Sequence, residues 1–213
     1  MSYEVESIKY KGHTIRLIAD EGAESPRTSF DNVGEILYTS SRYTLGDKQA
    51  TREEIEEITN DPKNIWLPVY AYIHSGISLS TSSFRGRAPH AEWDSGQCGI
   101  IWCTKAKAVY EWGKKVCTKS VIEKAEKYLK GEIETSNQYL NGEVVGYEIE
   151  GPLSDDSCWG YYPENDKPYS ERYAYCISEA KSAIDYARKA EAKRLKAERL
   201  RARLEREQHL ALI

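Results

Sequence analysis

The sequence predicts an α+β fold with a mainly antiparallel sheet, helices packed on it and a long C-terminal helix. Short apolar runs bounded by Gly, Ser, Pro and Asp recur between residues 13 and 163, and this composition is typical of strands. Helical segments lie between them in mixed order, without the regular alternation of an α/β fold. From residue 169 onward the chain contains no Gly or Pro, which favours one uninterrupted helix.

Six segments have the composition of strands. Pro68 lies inside one of them and indicates an irregular start. The last two are separated by a short Pro- and Asp-containing stretch, so we expect them to pair as a β-hairpin. The predicted strands are 13–20, 34–43, 64–73, 98–103, 143–151 and 157–163.

Three helices are predicted within the body. Thr51 and Glu54 have the spacing of a capping box, in which each side chain satisfies the other residue's backbone N–H. Thr104 precedes a second helix as an N-cap. A third has apolar residues three and four positions apart, as a helix with one buried face requires, although Gly131 is a candidate interruption. The ranges are 51–58, 105–113 and 120–141.

The predicted organisation is one α+β domain over residues 1–168 and a long helix over 169–213. Apolar residues in the first half of that helix share one face and are expected to dock on the body. Between residues 188 and 207 nine Lys or Arg face four Glu, a net charge of +5, whereas the rest of the chain carries −9. We expect this basic half to project, because its leucines (Leu195, Leu200 and Leu204) are too sparse for a heptad seam.

Composition excludes several protein classes. No run approaches the length of apolar sequence that a membrane helix needs, and the N-terminal residues lack the pattern of a secretory signal. Five scattered cysteines form an odd set, so reduced thiols are expected. These features predict a cytoplasmic protein with no membrane partner and no disulfides.

The segment 74–99 contains most of the candidate functional residues, because nothing else in the chain is as dense in polar and reactive side chains. We expect its polar groups to hydrogen-bond to its own main chain and Trp93 to be buried. Three side chains, those of Arg85, Arg87 and His90, are then expected to point outward and bind a partner. The candidate polar cluster is His74, Asp94, Ser95 and Gln97, joined by Asp156 and Cys158 from the 156–162 loop.

A cysteine hydrolase is one alternative. Cys158 would be the nucleophile, His74 the base, and Asp156 or Asp94 the group that orients the base. The competing interpretation is that Cys158 is a small buried residue, since free cysteines are commonly buried. A zinc site is disfavoured because Cys98 and Cys103 are expected on opposite faces of one strand. No metal or other cofactor is predicted.

Two further functions remain as alternatives. An ADP-ribosyltransferase would use Arg42, the Ser-Thr-Ser run from Ser80 and an E-x-E motif at Glu148 and Glu150, although the E-x-E lies within a predicted strand. A nucleic-acid-binding protein would use the basic helix. The arginines that would contact phosphates there are Arg194, Arg199, Arg201 and Arg203.

Several phrases occur together in a recognisable order: D-N-x-G, Y-x-L-G-D, H-S-G, W-D-S-G-Q-x-G and D-S-C-W-G, at residues 31–34, 43–47, 74–76, 93–99 and 156–160. In this order they resemble a family of accessory proteins of bacteriophages and other mobile elements. The resemblance implies no catalytic residues. It implies a context in which small proteins inhibit host defence or host enzymes by binding.

The sequence therefore predicts a non-enzymatic accessory protein that binds a host macromolecule in the host cytoplasm. Its most concrete form is an anti-defence protein, such as an anti-CRISPR or anti-restriction inhibitor. The expected partner is a host protein or a ribonucleoprotein defence complex. Nucleic acid bound by the basic helix and a homodimer are the alternatives.

Overall fold

The computed structural model describes residues 3–152 and 155–210. The strands are β1 (Glu4–Tyr10), β2 (His13–Ala19), β3 (Glu35–Tyr38), β4 (Lys48–Gln49), β5 (Asn64–Ile73), β6 (Ile77–Ser80), β7 (Ser95–Thr104), β8 (Val145–Glu150) and β9 (Asp156–Tyr161). The helices are α1 (Pro26–Ser29), α2 (Arg52–Asn60), α3 (Ala91–Asp94), α4 (Lys105–Glu111), α5 (Lys119–Leu140) and α6 (Ala174–Leu210). The α+β fold with its long C-terminal helix is confirmed.

The chain divides into two compact units, which we call the terminal unit (residues 1–23 and 144–213) and the central unit (residues 24–143). Residues close to both ends of the sequence therefore share one core. The predicted organisation, an α+β domain over residues 1–168 and a long helix over 169–213, stays a prediction.

The terminal unit is a four-stranded antiparallel sheet in the order β1-β2-β8-β9 with α6 packed on one face. Alternate residues of β2 and β8 point to the helix, because successive side chains of a strand face opposite ways. They meet the face of α6 that carries Ala180 and Ile184, both fully buried. The sheet contributes Ile15, Leu17, Val145, Tyr147 and Ile149.

The β8–β9 hairpin forms as the sequence predicts, and a bulge interrupts its register. Gly146 lies against the indole of Trp159, where a Cβ atom would overlap the ring. Gly160 has a positive φ of 86° and donates its backbone N–H to Asp20 (3.1 Å). Trp159 and Gly160, the last two residues of the D-S-C-W-G phrase, therefore lie at this bulge.

The central unit is a five-stranded sheet in the order β4-β3-β7-β5-β6, parallel only between β3 and β4. The helix α5 packs on one face through Val121, Ala125, Leu129 and Ile133, and Gly131 does not interrupt it. The helix α2 packs on a second, smaller core cluster, which consists of Leu37, Ala50 and Ile100. The predicted capping box at Thr51 and Glu54 is confirmed.

One prediction about β7 is wrong. Cys98 and Cys103 pack against the same core cluster and not on opposite faces. The register of β5 and β7 shifts between Val69 and Tyr70, which pair with Gly99 and Gln97, so Cys98 is an extra bulged residue. A bulge changes the alternation of side chains along a strand, and this reverses the expected direction.

Among the described residues, none of the helices has the length and apolar content that a bilayer crossing demands.

Candidate functional site

The segment 74–99 of the central unit hydrogen-bonds extensively to its own main chain. Tyr72, at the end of β5, donates its phenol to the carbonyl oxygen of Pro89 (3.0 Å). Arg87 donates to the carbonyl oxygens of Ser82 (2.7 Å) and Ser83 (2.8 Å), and its guanidinium lies over the ring of Phe84. These contacts hold an exposed loop in one conformation, so residues displayed on it are positioned before any partner binds.

His74 is the centre of a small aromatic stack. Its ring stacks with that of Tyr72 (6.0 Å between centroids) and with that of His90 (6.2 Å). The Nδ1 atom of His74 lies 2.9 Å from Oδ2 of Asp94. This carboxylate orients the imidazole as it would orient a general base, although no thiol or hydroxyl of the described residues hydrogen-bonds to that ring.

Trp93 is the exception to the predicted burial, because its side chain is 88% exposed. It lies on α3, a single helical turn, in which Ala91 is the buried residue. Residues two positions apart on a helix point in roughly opposite directions. Burying Ala91 therefore exposes Trp93.

A cleft of about 410 Å³ opens beside this turn, between the end of the polar segment and the loop after β3. We call it the crossover cleft. The polar segment provides Asp94 and Gln97, as predicted for the candidate cluster. The residues of the facing loop belong to the strand predicted over residues 34–43, but strand β3 ends at Tyr38 and the hydroxyl-rich run after it forms a loop. This loop provides Thr39, Ser40, Arg42 and Tyr43.

Three members of the predicted cluster have distinct roles in this region. Ser95 donates its hydroxyl to the carbonyl oxygen of Ala91 and so closes the α3 turn. Gln97 is exposed, and its amide nitrogen lies 3.4 Å from the carbonyl oxygen of Gly99, a long contact. Asp94 bridges the stack and the cleft. The cleft can therefore present a carboxylate, an amide and the guanidinium of Arg42 to a bound group.

Three of the cysteine thiols, those of Cys98, Cys103 and Cys176, are poor nucleophiles because they are shielded from solvent. Burial raises the pKa of Cys98 and of Cys103 to about 11, and that of Cys176 to about 12. A thiol with such a pKa stays protonated near neutral pH. Cys98 instead donates to the carbonyl oxygen of Val69 (3.4 Å).

Asp156 and Cys158 belong to the terminal unit, whereas the other four members of the cluster belong to the central unit. Both lie on β9 and are exposed. Asp156 accepts a hydrogen bond from the backbone N–H of Ser157 (2.9 Å). Burial raises the pKa of Tyr161, and a side-chain hydrogen bond with Cys158 adds to the effect.

The E-x-E motif lies inside β8, and both of its carboxylates are occupied. Arg16 contacts Glu148 (2.8 Å) and Glu150 (2.7 Å). Strand β8 pairs with β2 in a register that places Arg16 opposite Glu148. The motif is thus explained as a cross-strand ion pair.

The D-N-x-G and Y-x-L-G-D phrases meet at a buried guanidinium. Arg27 forms a bidentate pair with Asp47 (2.9 and 2.6 Å), contacts Glu132 of α5 (2.7 Å) and donates to Asn32 (2.8 Å). Glu132 also accepts backbone N–H groups of Val33 and Gly34. Burial opposes the charge of Arg27, and its hydrogen bonds to both carboxylates outweigh that cost, so its pKa is raised.

A second cavity of about 580 Å³ borders this cluster. Its charged wall groups, Arg27 and Asp47, already pair with each other, and the rest of the lining includes Ile36, Leu45 and Leu79. This arrangement is a structural junction. The crossover cleft, which has exposed polar groups, is the better candidate site.

The predicted outward-pointing residues differ in what they can offer. Arg85, Arg87 and His90 are all exposed, but Arg87 is used within its loop and His90 within the stack. On α6, Arg199 is exposed, whereas three arginines form ion pairs within the helix: Arg194 with Glu191 and Glu198, Arg201 with Glu205, and Arg203 with Glu207.

Comparison with models of known protein families gives no match, and comparisons with curated proteins and with solved structures give none. Within residues 3–152 and 155–210, no group of three or more His, Cys, Asp or Glu side chains could hold a metal ion. The geometry of the crossover cleft therefore carries the functional argument.

Proposed function

We propose that this chain is a phage-type accessory protein that acts by binding a host macromolecule without catalysis, in its most concrete form an anti-CRISPR or anti-restriction inhibitor. The observation that carries the proposal is Trp93, 88% exposed on a loop fixed by its own hydrogen bonds. The resemblance to phage accessory proteins supplies the biological context.

An exposed tryptophan on an ordered loop is a strong candidate for a binding hot spot. Trp and Arg are enriched among the residues that dominate protein interfaces, because each buries a large area and can also make polar contacts. Trp93 lies beside a cleft that contains Arg42 and Tyr43. The partner surface that fits this arrangement is a protein surface with an apolar recess next to a carboxylate.

The enzyme alternative rests on the pair formed by His74 and Asp94. A hydrolase would also need a nucleophile within reach of that imidazole. Cys158, the candidate from the sequence, belongs to the terminal unit. The two functions predict different outcomes for a Cys158→Ala variant, which removes the thiol and leaves a binding surface in the central unit intact.

The test is a phage plating assay in a bacterial host whose CRISPR or restriction system targets that phage. Expression of the wild-type protein is expected to raise plating efficiency, and Trp93→Ala is expected to abolish the increase. Tyr110→Ala is the matched control, because Tyr110 is an aromatic residue of the central unit with a similar exposure of 86%. The same variants serve as baits for capture of the defence complex.

The variants also separate the competing functions. Retention of inhibition by Cys158→Ala, with loss in Trp93→Ala, supports binding without catalysis. Loss of inhibition in Cys158→Ala and His74→Ala, with Trp93→Ala unaffected, would instead identify a cysteine hydrolase. No effect of the wild-type protein on plating by any tested defence system would contradict the anti-defence function.

A further inference from the structure

The second half of α6 is an exposed helix with no core of its own. The side chains of residues 192–207 are all exposed. Helices of this kind are marginally stable in water unless an apolar face is covered. Ion pairs between residues three or four apart support it, but such exposed pairs add little stability.

An apolar stripe runs along this half on the side away from the docked face. Leu204 is twenty residues from the buried Ile184, and a rotation of about 100° per residue places the two on roughly opposite sides of α6. Tyr186, Leu200 and Leu204 are 77%, 58% and 50% exposed. The stripe is therefore separate from the face that packs on the sheet.

The stripe follows a heptad when its alanines are counted with its leucines. Positions a are Ala190, Ala197 and Leu204, and positions d are Tyr186, Lys193, Leu200 and Glu207. The three leucines alone are too sparse for a seam, because one of them, Leu195, lies at position f on another face. Lys193 and Glu207 place two charged residues at the d positions of the seam, and polar seam residues fix register in coiled coils.

Basic residues flank the seam on both sides. Positions e and g face the partner helix in a coiled coil and set its identity through charge. Positions e hold Arg194 and Arg201, and positions g hold Lys189, Lys196 and Arg203. The glutamates 191, 198 and 205 lie at position b, away from the seam.

This charge pattern discriminates between partners. A second copy of the same helix would bring like charges together in either a parallel or an antiparallel pair, which is destabilising. A helix with acidic residues at its own e and g positions would oppose each cation with a carboxylate. We propose that this face of α6 binds an acidic amphipathic α-helix of another protein, through Ala190, Ala197, Leu200 and Leu204 flanked by the five cations.

The site is independent of the crossover cleft, and neither proposal requires the other. The arginines are available to such a partner because each of them pairs with an exposed glutamate of the same helix, and Arg194 also contacts the partly buried Glu191. Exchanging a solvent-exposed ion pair for one across a helix pair costs little. Nucleic acid would use the same cations but would make no use of the apolar seam.

The test is binding of a synthetic peptide to the full-length protein, measured by isothermal titration calorimetry. The probe has about four heptads with Leu at a and d and Glu at e and g, and the control probe has Lys at e and g. The Glu peptide is expected to bind at least about tenfold more tightly than the Lys peptide, and high salt should reduce the difference. Equal binding of the two peptides would overturn the proposal.

Two substitutions of the same residue type locate the binding face. Leu200→Asp is expected to weaken binding of the Glu peptide by about tenfold or more. Leu195→Asp is the matched control, with comparable exposure (41%) on the same helix, and should leave binding within about twofold. An equal loss in both variants would contradict a defined seam.

A charge reversal gives a readout that misfolding cannot mimic. The double variant Arg201→Glu, Arg203→Glu should weaken binding of the Glu peptide and strengthen binding of the Lys peptide. Two outcomes would replace the proposed partner with another. If the protein dimerises through the second half of α6 and Leu200→Asp abolishes the dimer, the partner is a second copy of the chain. If a DNA duplex binds more tightly than the Glu peptide and Leu200→Asp does not weaken that binding, the partner is nucleic acid.

Discussion

Arg27 joins several segments of the central unit through one buried guanidinium. Its side chain is 11% exposed and those of its carboxylate partners Asp47 and Glu132 are 22% and 12% exposed. These partners come from a loop and from α5, far apart in sequence. Breaking a buried ion pair by removing one member is strongly destabilising, because the other member stays buried without compensation.

Arg27→Met is therefore expected to lower the free energy of unfolding by about 3–5 kcal/mol, because it leaves two largely buried carboxylates without their shared cation. Urea denaturation followed by circular dichroism measures the change. The control is Arg52→Ala, on the exposed surface of α2, with an expected change of about 0.5 kcal/mol or less. Equal effects of the two substitutions would show that the Arg27 cluster contributes no special stability.

The thiols should differ in reactivity according to their surroundings. Burial raises the pKa of Cys103 and Cys176 to about 11 and about 12, so both stay protonated at pH 8, and access to them is blocked as well. Cys158 is exposed. Iodoacetamide labelling followed by mass spectrometry should modify Cys158 at least about tenfold faster than either buried thiol. Simultaneous modification of all three would contradict the described burial.

Raised thiol pKa values also set the sign of a pH effect on stability. The folded state favours the protonated form of these thiols. Their contribution to the free energy of unfolding is therefore complete below about pH 9, and it is lost as the pH rises toward 11–12, because the thiols of the unfolded chain ionise first. The free energy of unfolding should decline across that alkaline range in reducing buffer. Substituting Cys176 by Ala should make the decline shallower, and an unchanged decline would contradict the raised pKa of this thiol.

At the scale of elements, β7 is the strand that brings the candidate site together. It pairs with both β3 and β5 and carries the residues of the W-D-S-G-Q-x-G phrase into the cleft. Its bulge at Cys98 places Gln97 and Cys98 in the lining of the cleft, and Cys98 also packs against the core cluster that contains Ile101 and Cys103. The close approach of β3 leaves no room for a side chain at Gly99.

Two glycines of β7 provide a matched pair of substitutions. A methyl group at Gly99 would overlap the carbonyl oxygen of Leu37, a backbone atom of β3 that cannot move without breaking the pairing. Gly99→Ala should cost about 3 kcal/mol or more. Gly96→Ala meets no atom within 4 Å and should be nearly neutral. Thermal unfolding of the two variants compares them directly, and similar melting temperatures would refute the close approach.

At the scale of the whole molecule, the two parts of α6 differ in their surroundings. The first part buries Cys176, Ala180 and Ile184 against the sheet of the terminal unit. From residue 192 to residue 207 the side chains are exposed. The same helix therefore completes a core at one end and carries the proposed binding face at the other.

Deleting residues 192–213 should leave the free energy of unfolding within about 0.5 kcal/mol of the full-length value, because no described core residue is lost. Ile184→Ala is the contrasting variant and should cost about 2–5 kcal/mol, since it creates a cavity in a packed core. Chemical denaturation measures both. A large loss on truncation would mean that the second half of α6 supports the fold.

Local patterns were sufficient to predict much of the fold. The capping box at Thr51 and Glu54, the buried face of α5 and the β8–β9 hairpin depend on residues close in sequence, so the sequence reveals them directly. The short strands β4 and β6 were missed, because so few residues give no periodicity. Strand β1 was also missed, since it lies at an edge and is largely exposed.

By itself, the sequence determined the fold class, the polar segment 74–99 and the charge of the C-terminal helix, because each follows from composition or from a regular spacing. Only the tertiary structure decided that Trp93 is exposed, that Arg42 faces the polar segment, and that Arg27 joins two distant phrases. Those outcomes depend on which residues far apart in the chain compete for the same buried space. A one-residue bulge at Cys98 is enough to redirect side chains, and no local pattern specifies it.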